Sequence, residues 1–274
     1  LAWSPETELD CEVAQGGRDY CAPGNYPTAL PDRLYRNNGD GTFTDVSERS
    51  GISSVARPAL GICAGDYDGD GHLDIFIAND GKPDVLWRNL GNGRFKDVGL
   101  TSGCAIDNDG QEKAGMGVGS TDYDDDGDLD LIVCNLGGES DSLFRNEGRF
   151  FVDTTSRAGV KVVSTPYTRF GLGWHDLNND GWLDLYEATG KVQRTGSPVP
   201  GEADPYAEED VLLRGKASAR YERVSPTGGS VETIRRTSRA AGFGDLDNDG
   251  RLDVIVVNRD RPANVYHNVT DSTR

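Results

Sequence analysis

Four stretches of this chain carry oxygen side chains at one shared spacing. The first is Asp66-Tyr67-Asp68-Gly69-Asp70-Gly71-His72-Leu73-Asp74, and the others begin at Asp122, Asp176 and Asp245. Positions 1, 3, 5 and 9 are Asp66, Asp68, Asp70 and Asp74 in the first loop and Asp122, Asp124, Asp126 and Asp130 in the second. In the third they are Asp176, Asn178, Asp180 and Asp184, and in the fourth Asp245, Asp247, Asp249 and Asp253. Oxygens in this pattern suit a hard cation such as calcium, which takes about six to eight of them around a tight turn. Position 7 is His72, Asp128, Trp182 or Arg251. No side-chain chemistry is shared there, so those residues are read as ligands through the backbone carbonyl. Position 6 is always glycine, which a left-handed turn favours. Position 8 is always leucine (Leu73, Leu129, Leu183, Leu252), so the chain is expected to enter a core as each loop closes. Asn178 brings one charge fewer, and the weakest affinity is expected at the third loop.

The elements that position these loops follow from their flanks. An EF-hand opens with the same spacing, but it ends in a bidentate glutamate at position 12 and lies between helices. Position 12 here is Ile77, Val133, Glu187 or Val256, and short apolar β-branched runs follow each loop. Those runs read as buried strands. A hairpin signal, Leu34-Tyr35-Arg36-Asn37-Asn38-Gly39-Asp40-Gly41-Thr42-Phe43, recurs from Leu86 and, with a shorter turn, from Leu143. The repeat is therefore strand A (Leu60–Gly65), loop, strand B (Leu73–Ala78), strand C (Val85–Asn89), turn and strand D (Arg94–Val98). The loops begin 56, 54 and 69 residues apart, as Asp66, Asp122, Asp176 and Asp245 show. Four strands per repeat of that length predict an all-β fold, a β-propeller of four-stranded antiparallel blades. Alternating strand direction puts the cation loops and the C–D turns on one face. The variable B–C and D–A connections then share the other face, and the longest of them spans 190–210.

Residues 1–33 read as an irregular segment with a Cys11–Cys21 loop, residues 34–269 as the propeller, and 270–274 as a tail. Residues 34–46 offer strands C and D without A and B, and the last repeat stops after strand C. A larger ring, completed by further sequence or by another chain, is expected from these ends. Cys63 and Cys134 fall in predicted strands as free thiols, while Cys104 lies in a loop within potential reach of Cys134.

Over 274 residues the formal net charge is −18, and seventeen aspartates lie within the four nonapeptides. So acidic a chain excludes nucleic acid as a natural partner. No apolar run approaches the ~20 residues that span a bilayer. Calcium-type loops and a disulfide both favour an extracytoplasmic setting, whether secreted, periplasmic or at the cell surface. Asn268-Val269-Thr270 has the form of a glycosylation acceptor.

The four nonapeptides, the segment 34–43, Ala114-Gly115-Met116-Gly117-Val118 and Cys21-Ala22-Pro23-Gly24-Asn25-Tyr26 resemble FG-GAP/VCBS-type propeller repeats, also found in the integrin α head. More narrowly, they resemble the ASPIC/UnbV, or cartilage-acidic-protein, family over roughly residues 20–269. The resemblance implies calcium at the Asp66-like positions and a propeller of about seven blades. It also implies a small C-terminal domain, for which 270–274 are too short.

Three functions compete on these residues. A non-catalytic, calcium-stabilised binding or structural module leads, with a protein or glycan docking opposite the cation loops. A subunit of a larger envelope or extracellular assembly is the second. A propeller-type lyase or hydrolase is the third. No catalytic residue is assigned, because His72, His175 and His267 fall in three different repeats and no nucleophile, zinc-protease or phosphate motif occurs. Arg36, Arg88 and Arg145 recur in the hairpin and are expected to form local ion pairs. Trp87, Tyr35 and Trp174 are expected to pack between repeats.

Overall fold

The computed structural model describes residues 9–12, 18–26, 29–194, 204–259 and 261–270. Two-residue strands β1 (Cys11–Glu12) and β2 (Arg18–Asp19) pair beside the Cys11–Cys21 disulfide. Strands β3 (Tyr35–Asn37) and β4 (Phe43–Asp45) form the first hairpin. Blade one is β5 (Ala59–Gly65), β6 (Asp74–Asn79), β7 (Val85–Asn89) and β8 (Phe95–Asp97), paired in that order. Blade two is β9 (Gly117–Thr121), β10 (Asp130–Cys134), β11 (Ser142–Asn146) and β12 (Phe151–Asp153).

Blade three joins β13 (Arg169–His175), β14 (Asp184–Thr189), β16 (Val211–Lys216) and β17 (Arg220–Arg223). The insertion between β14 and β16 carries β15 (Glu208–Glu209), which pairs with β18 (Arg235–Arg236). Blade four is β19 (Ser238–Gly244), β20 (Asp253–Asn258) and β21 (Asn264–Tyr266). Every pairing is antiparallel, so the A–B loops and C–D turns share one face of the propeller.

The core lies between blades. A pleated sheet has two faces, and an isolated blade leaves both wet. Tyr67, Phe76, Leu131, Phe144 and Phe151 fill the space between blades one and two. Tyr123, Ile132, Trp174, Leu185 and Tyr221 fill the next, and Leu177, Tyr186, Val254 and Val256 the last. Trp174 stacks on Tyr123 at 5.6 Å and donates Nε1–H to Tyr221 Oη at 2.8 Å. Trp87 is 1% exposed in a cluster with Ile52, Val85 and Leu34, whereas Tyr35 stands 53% exposed.

Close stacking rests on glycines in the first strand of each blade. A Cβ on Gly117 would meet the Phe170 carbonyl at 1.9 Å, and one on Gly171 would meet the Ala241 nitrogen at 2.3 Å. Bulky residues of one blade thus seat in the glycine notches of the blade before it. Leu129 follows this rule against Gly65, and Leu129, Leu183 and Leu252 all pack half-buried against the cores. Leu73 departs from the sequence expectation and is 64% exposed, because among the described residues no first strand precedes blade one to receive it. Leu60 and Ile62 are exposed on the same side for the same reason.

Candidate metal centres

Each nonapeptide wraps around its own first carboxylate. Asp66 Oδ1 accepts the Asp70 N–H at 3.1 Å and Oδ2 accepts the Gly71 N–H at 2.8 Å. The same pair of bonds recurs at Asp122, Asp176 and Asp245. The position 5 carboxylates (Asp70, Asp126, Asp180, Asp249) each accept the N–H of position 7, so His72, Asp128, Trp182 and Arg251 are held by their backbone. Their side chains go elsewhere. The His72 ring lies where a Cβ on Gly91 would stand, Trp182 is 38% exposed, and Arg251 Nε donates to the Asn268 carbonyl at 2.7 Å.

Two turn positions are left-handed. Position 6 glycines have φ of 85° (Gly71), 96° (Gly127), 91° (Gly181) and 86° (Gly250). Position 4 is left-handed as well, at 69° (Gly69), 62° (Asp125), 56° (Asn179) and 63° (Asn248). The sequence signal was present but unused: glycine, asparagine and aspartate are the residues that tolerate this region.

The position 9 aspartates act as clamps. Asp74 Oδ1 accepts the Asn89 N–H at 2.7 Å and Oδ2 accepts the Tyr67 N–H at 3.2 Å. Asp130, Asp184 and Asp253 repeat this, each tying its loop to the third strand of its blade. A carboxylate keeps spare lone pairs after two such bonds. Burial pushes Asp130 up to about 7 and Asp184 up to about 6. For Asp253 the ordering is reversed: the Asn268 N–H leads, and the pKa is lowered.

Position 3 separates the loops. Arg88 pairs with Asp68 Oδ2, and Arg145 Nη1 lies 3.7 Å from Asp124 Oδ2. The other oxygen of each, Oδ1, is buried and has no hydrogen-bond partner. In the fourth loop His267 takes the arginine's place, with Nε2 at 3.6 Å from Asp247 Oδ2 and Nδ1 at 3.2 Å from Asp253 Oδ1. In the third, Asn178 turns its own amide to Asp180 Oδ2 at 3.0 Å.

The structure brings Asp66, Asp68 and Asp70 together, with one oxygen of each within 4.8 Å of the others. It does the same for Asp122, Asp124 and Asp130, and for Asp245, Asp247 and Asp249. Hard oxygen donors, a left-handed turn and two orphaned inner oxygens fit a divalent cation such as calcium.

Two further features were missed in the sequence. Asn146 Nδ2 donates to the Tyr67 carbonyl at 2.9 Å, and Asn268 Nδ2 donates to the Leu177 carbonyl at 2.7 Å. Each asparagine hangs its blade on the cation loop of the blade before. The signal was the basic-Asn dipeptide that recurs at 88–89, 145–146 and 267–268. On the opposite face, the N-terminal hairpin docks on the blade-three insertion. Tyr206 Oη donates to Asp19 Oδ1 at 3.0 Å, Tyr20 meets Tyr206 edge-on, and the Arg259 guanidinium lies 4.4 Å over the Tyr206 ring. Within the 190–210 segment, positions 195–203, with Pro198, Pro200 and Glu202, lie outside the described residues. His175 packs against Phe243, and its pKa is lowered by burial.

The family model for the FG-GAP-like repeat matches residues 18–77, 66–112 and 122–187. Cartilage acidic protein 1 of Mus musculus is 31% identical over 232 residues, covering 82% of this chain and 32% of that protein. The Xenopus tropicalis protein of the same name is 28% identical over 169 residues, covering 59% of this chain and 25% of the relative. The chain therefore spans between 25% and 32% of the length of these relatives. Among solved structures, an Agrocybe aegerita lectin described as recognising non-reducing terminal N-acetylglucosamine aligns at TM-score 0.43 and 19% identity, over 88% of this chain and 61% of its own. An α-L-arabinofuranosidase of Clostridium thermocellum aligns at TM-score 0.38 and 14% identity, over 88% and 76% respectively. With residues 18–112 and 122–187 matched by the repeat model, more than half of its length, the chain belongs to the FG-GAP-like repeat family.

Proposed function

We propose that the four loops bind calcium and that the propeller is a non-catalytic binding or structural module working outside the cytoplasm. The observation that carries this reading is the pair of buried, partnerless oxygens, Asp68 Oδ1 and Asp124 Oδ1, inside loops whose N–H groups already hold the surrounding carboxylates. Leaving a buried carboxylate oxygen without a hydrogen bond costs about 1–3 kcal/mol, and a cation would remove that cost. The ligand set would be Asp66, Asp68, Asp70 and Asp74 with the carbonyl of His72, and its counterparts in the other three loops. Ions bound to the folded chain alone stabilise it by mass action. The disulfide supports an oxidising compartment.

The partner, a protein or a glycan, would dock opposite the cation loops. The described part of that face offers aromatic and guanidinium groups around Tyr20, Tyr206 and Arg259. Thermal unfolding of the isolated chain with excess calcium and then with a chelator tests the proposal. A midpoint rise of at least several degrees with calcium is expected, largely lost in the Asp68→Ala, Asp124→Ala double variant. A midpoint indifferent to calcium in the folded wild type would overturn it.

A further inference from the structure

Hydrogen bonds join the cation loops to one another in pairs. Asp74, at position 9 of the first loop, accepts the Tyr67 N–H at 3.2 Å. The carbonyl of the same Tyr67, between positions 1 and 3, accepts a bond from Asn146 Nδ2 at 2.9 Å. The Asn146 N–H is held in turn by Asp130 Oδ1 of the second loop at 2.8 Å, and Asp130 Oδ2 accepts the Tyr123 N–H at 3.0 Å. The position 9 carboxylates of two adjacent blades are thus connected through one buried asparagine.

The series breaks once. In blade three Gly215 takes the asparagine's place, and its N–H still reaches Asp184 Oδ1 at 2.9 Å. Without a side chain it has no donor for the Tyr123 carbonyl of the second loop. A Cβ built there would stand 2.3 Å from the Leu183 carbonyl, so the backbone itself excludes an asparagine. In blade four the link returns. The Leu177 N–H donates to Asp184 Oδ2 at 3.1 Å, its carbonyl accepts from Asn268 Nδ2 at 2.7 Å, and the Asn268 N–H donates to Asp253 Oδ1 at 2.8 Å.

We propose that the first and second loops form one cooperative cation-binding unit, that the third and fourth form another, and that Gly215 insulates the two. This rests on the calcium reading of the loops and adds a regulation of those sites. An ion in the first loop fixes Asp66, Asp68 and Asp74 around Tyr67, and so fixes the carbonyl that holds Asn146. Asn146, which touches no ion, then presents its N–H to Asp130 already in place. The cost of ordering this shared positioning residue falls on the first ion, so the second binds more tightly. Charge alone does not give this pattern. Repulsion between bound ions is screened over about 8–10 Å at ordinary salt and opposes joint filling wherever it acts.

The test is a calcium titration of the isotope-labelled full chain, read by NMR at the amides of Gly71, Gly127, Gly181 and Gly250. Each of these N–H groups donates to the position 1 carboxylate of its own loop and so reports on that loop. Asp70→Ala and Asp180→Ala remove the same position 5 carboxylate from the loops on either side of the second. Asp70→Ala is expected to raise the calcium midpoint at Gly127 by about fivefold or more. Asp180→Ala should leave Gly127 nearly unchanged and raise the midpoint at Gly250 instead. In an Asn146→Ala background, which keeps the backbone N–H on Asp130, Asp70→Ala should no longer move Gly127. Equal shifts at Gly127 from the two aspartate variants, or none from Asp70→Ala, would overturn the coupling and leave the calcium reading intact. Spectra indifferent to calcium at all four glycines would overturn the calcium reading, and the coupling with it. The two aspartate variants decide this even where Asn146→Ala fails to fold.

Discussion

At the scale of single residues, the loops combine two kinds of constraint. The aspartates at positions 1 and 5 spend their oxygens on backbone N–H groups, so they shape the turn before any ion arrives. Position 3 is free to answer a cation on one side and a strand-borne arginine on the other. A separate carboxyl, Asp84, shows how burial alone couples to pH. It accepts the Asn79 N–H at 2.8 Å, and burial, only partly opposed by that bond, Arg57 and Lys113, pushes it up to about 8. The folded chain therefore holds this proton between about pH 4 and 8 while the unfolded chain has released it. Stability from this group is full at low pH and is lost as pH rises through that window. Asp84→Asn keeps the acceptor and removes the charge. We expect it to melt a few degrees above wild type at pH 8.5 and near wild type at pH 5, in paired melts at the two pH values.

At the scale of elements, the strands were legible and the helical turns were not. Short apolar, β-branched runs and Asn-Gly-type turns marked the blade strands to within a residue or two. After β4, β8 and β12 the chain makes short helical turns, α1 (Ser47–Ser50), α2 (Gly99–Ser102) and α3 (Val160–Ser164), where the sequence reading had loops. Four or five residues are too few for a helical period to show. Their ends do carry a signal. Asp45 and Asp97 each accept a backbone N–H two residues on, and left-handed Gly51 and Gly103 close α1 and α2. Before α3, Asp153 accepts the Thr155 N–H and left-handed Gly159 stands at the helix start. Each glycine lies against the carbonyl of Phe95, Phe151 or Tyr221 in the next blade, with Gly103 the tightest at 2.8 Å from a built Cβ. Gly103→Ala should cost about 1–3 kcal/mol, combining left-handed strain with that contact. A fall in denaturant midpoint at unchanged slope would show it.

At the scale of the whole molecule, stacking is a repeated fit of bulky residues into glycine notches. Phe170 and Leu172 face Gly117 and Gly119, and Phe243 faces Gly173. The corresponding Gly242 in blade four meets nothing within 4 Å. The same substitution should then have different effects at the two ends. Gly117→Ala is expected to lower stability by about 1–3 kcal/mol through overpacking against backbone. Gly242→Ala is expected to be neutral or slightly stabilising, by about 0.4–1 kcal/mol. Urea denaturation of both variants checks the pair, and equal losses would refute the notch model.

The sequence by itself determined the loops, the strands and the antiparallel blade, because all of these rest on spacings of two to nine residues. A periodic apolar pattern, a turn dipeptide and a ligand spacing are local, and local physics decides them. The tertiary structure alone decided which distant groups meet. It set Asn146 on the Tyr67 carbonyl, Tyr206 on Asp19, and Glu187 beside Cys134 and Asp141. It also decided that Leu73, alike in sequence to three half-buried leucines, stays exposed. Such pairings depend on how one blade lies on the next, and no pattern within a single repeat encodes its neighbour's position.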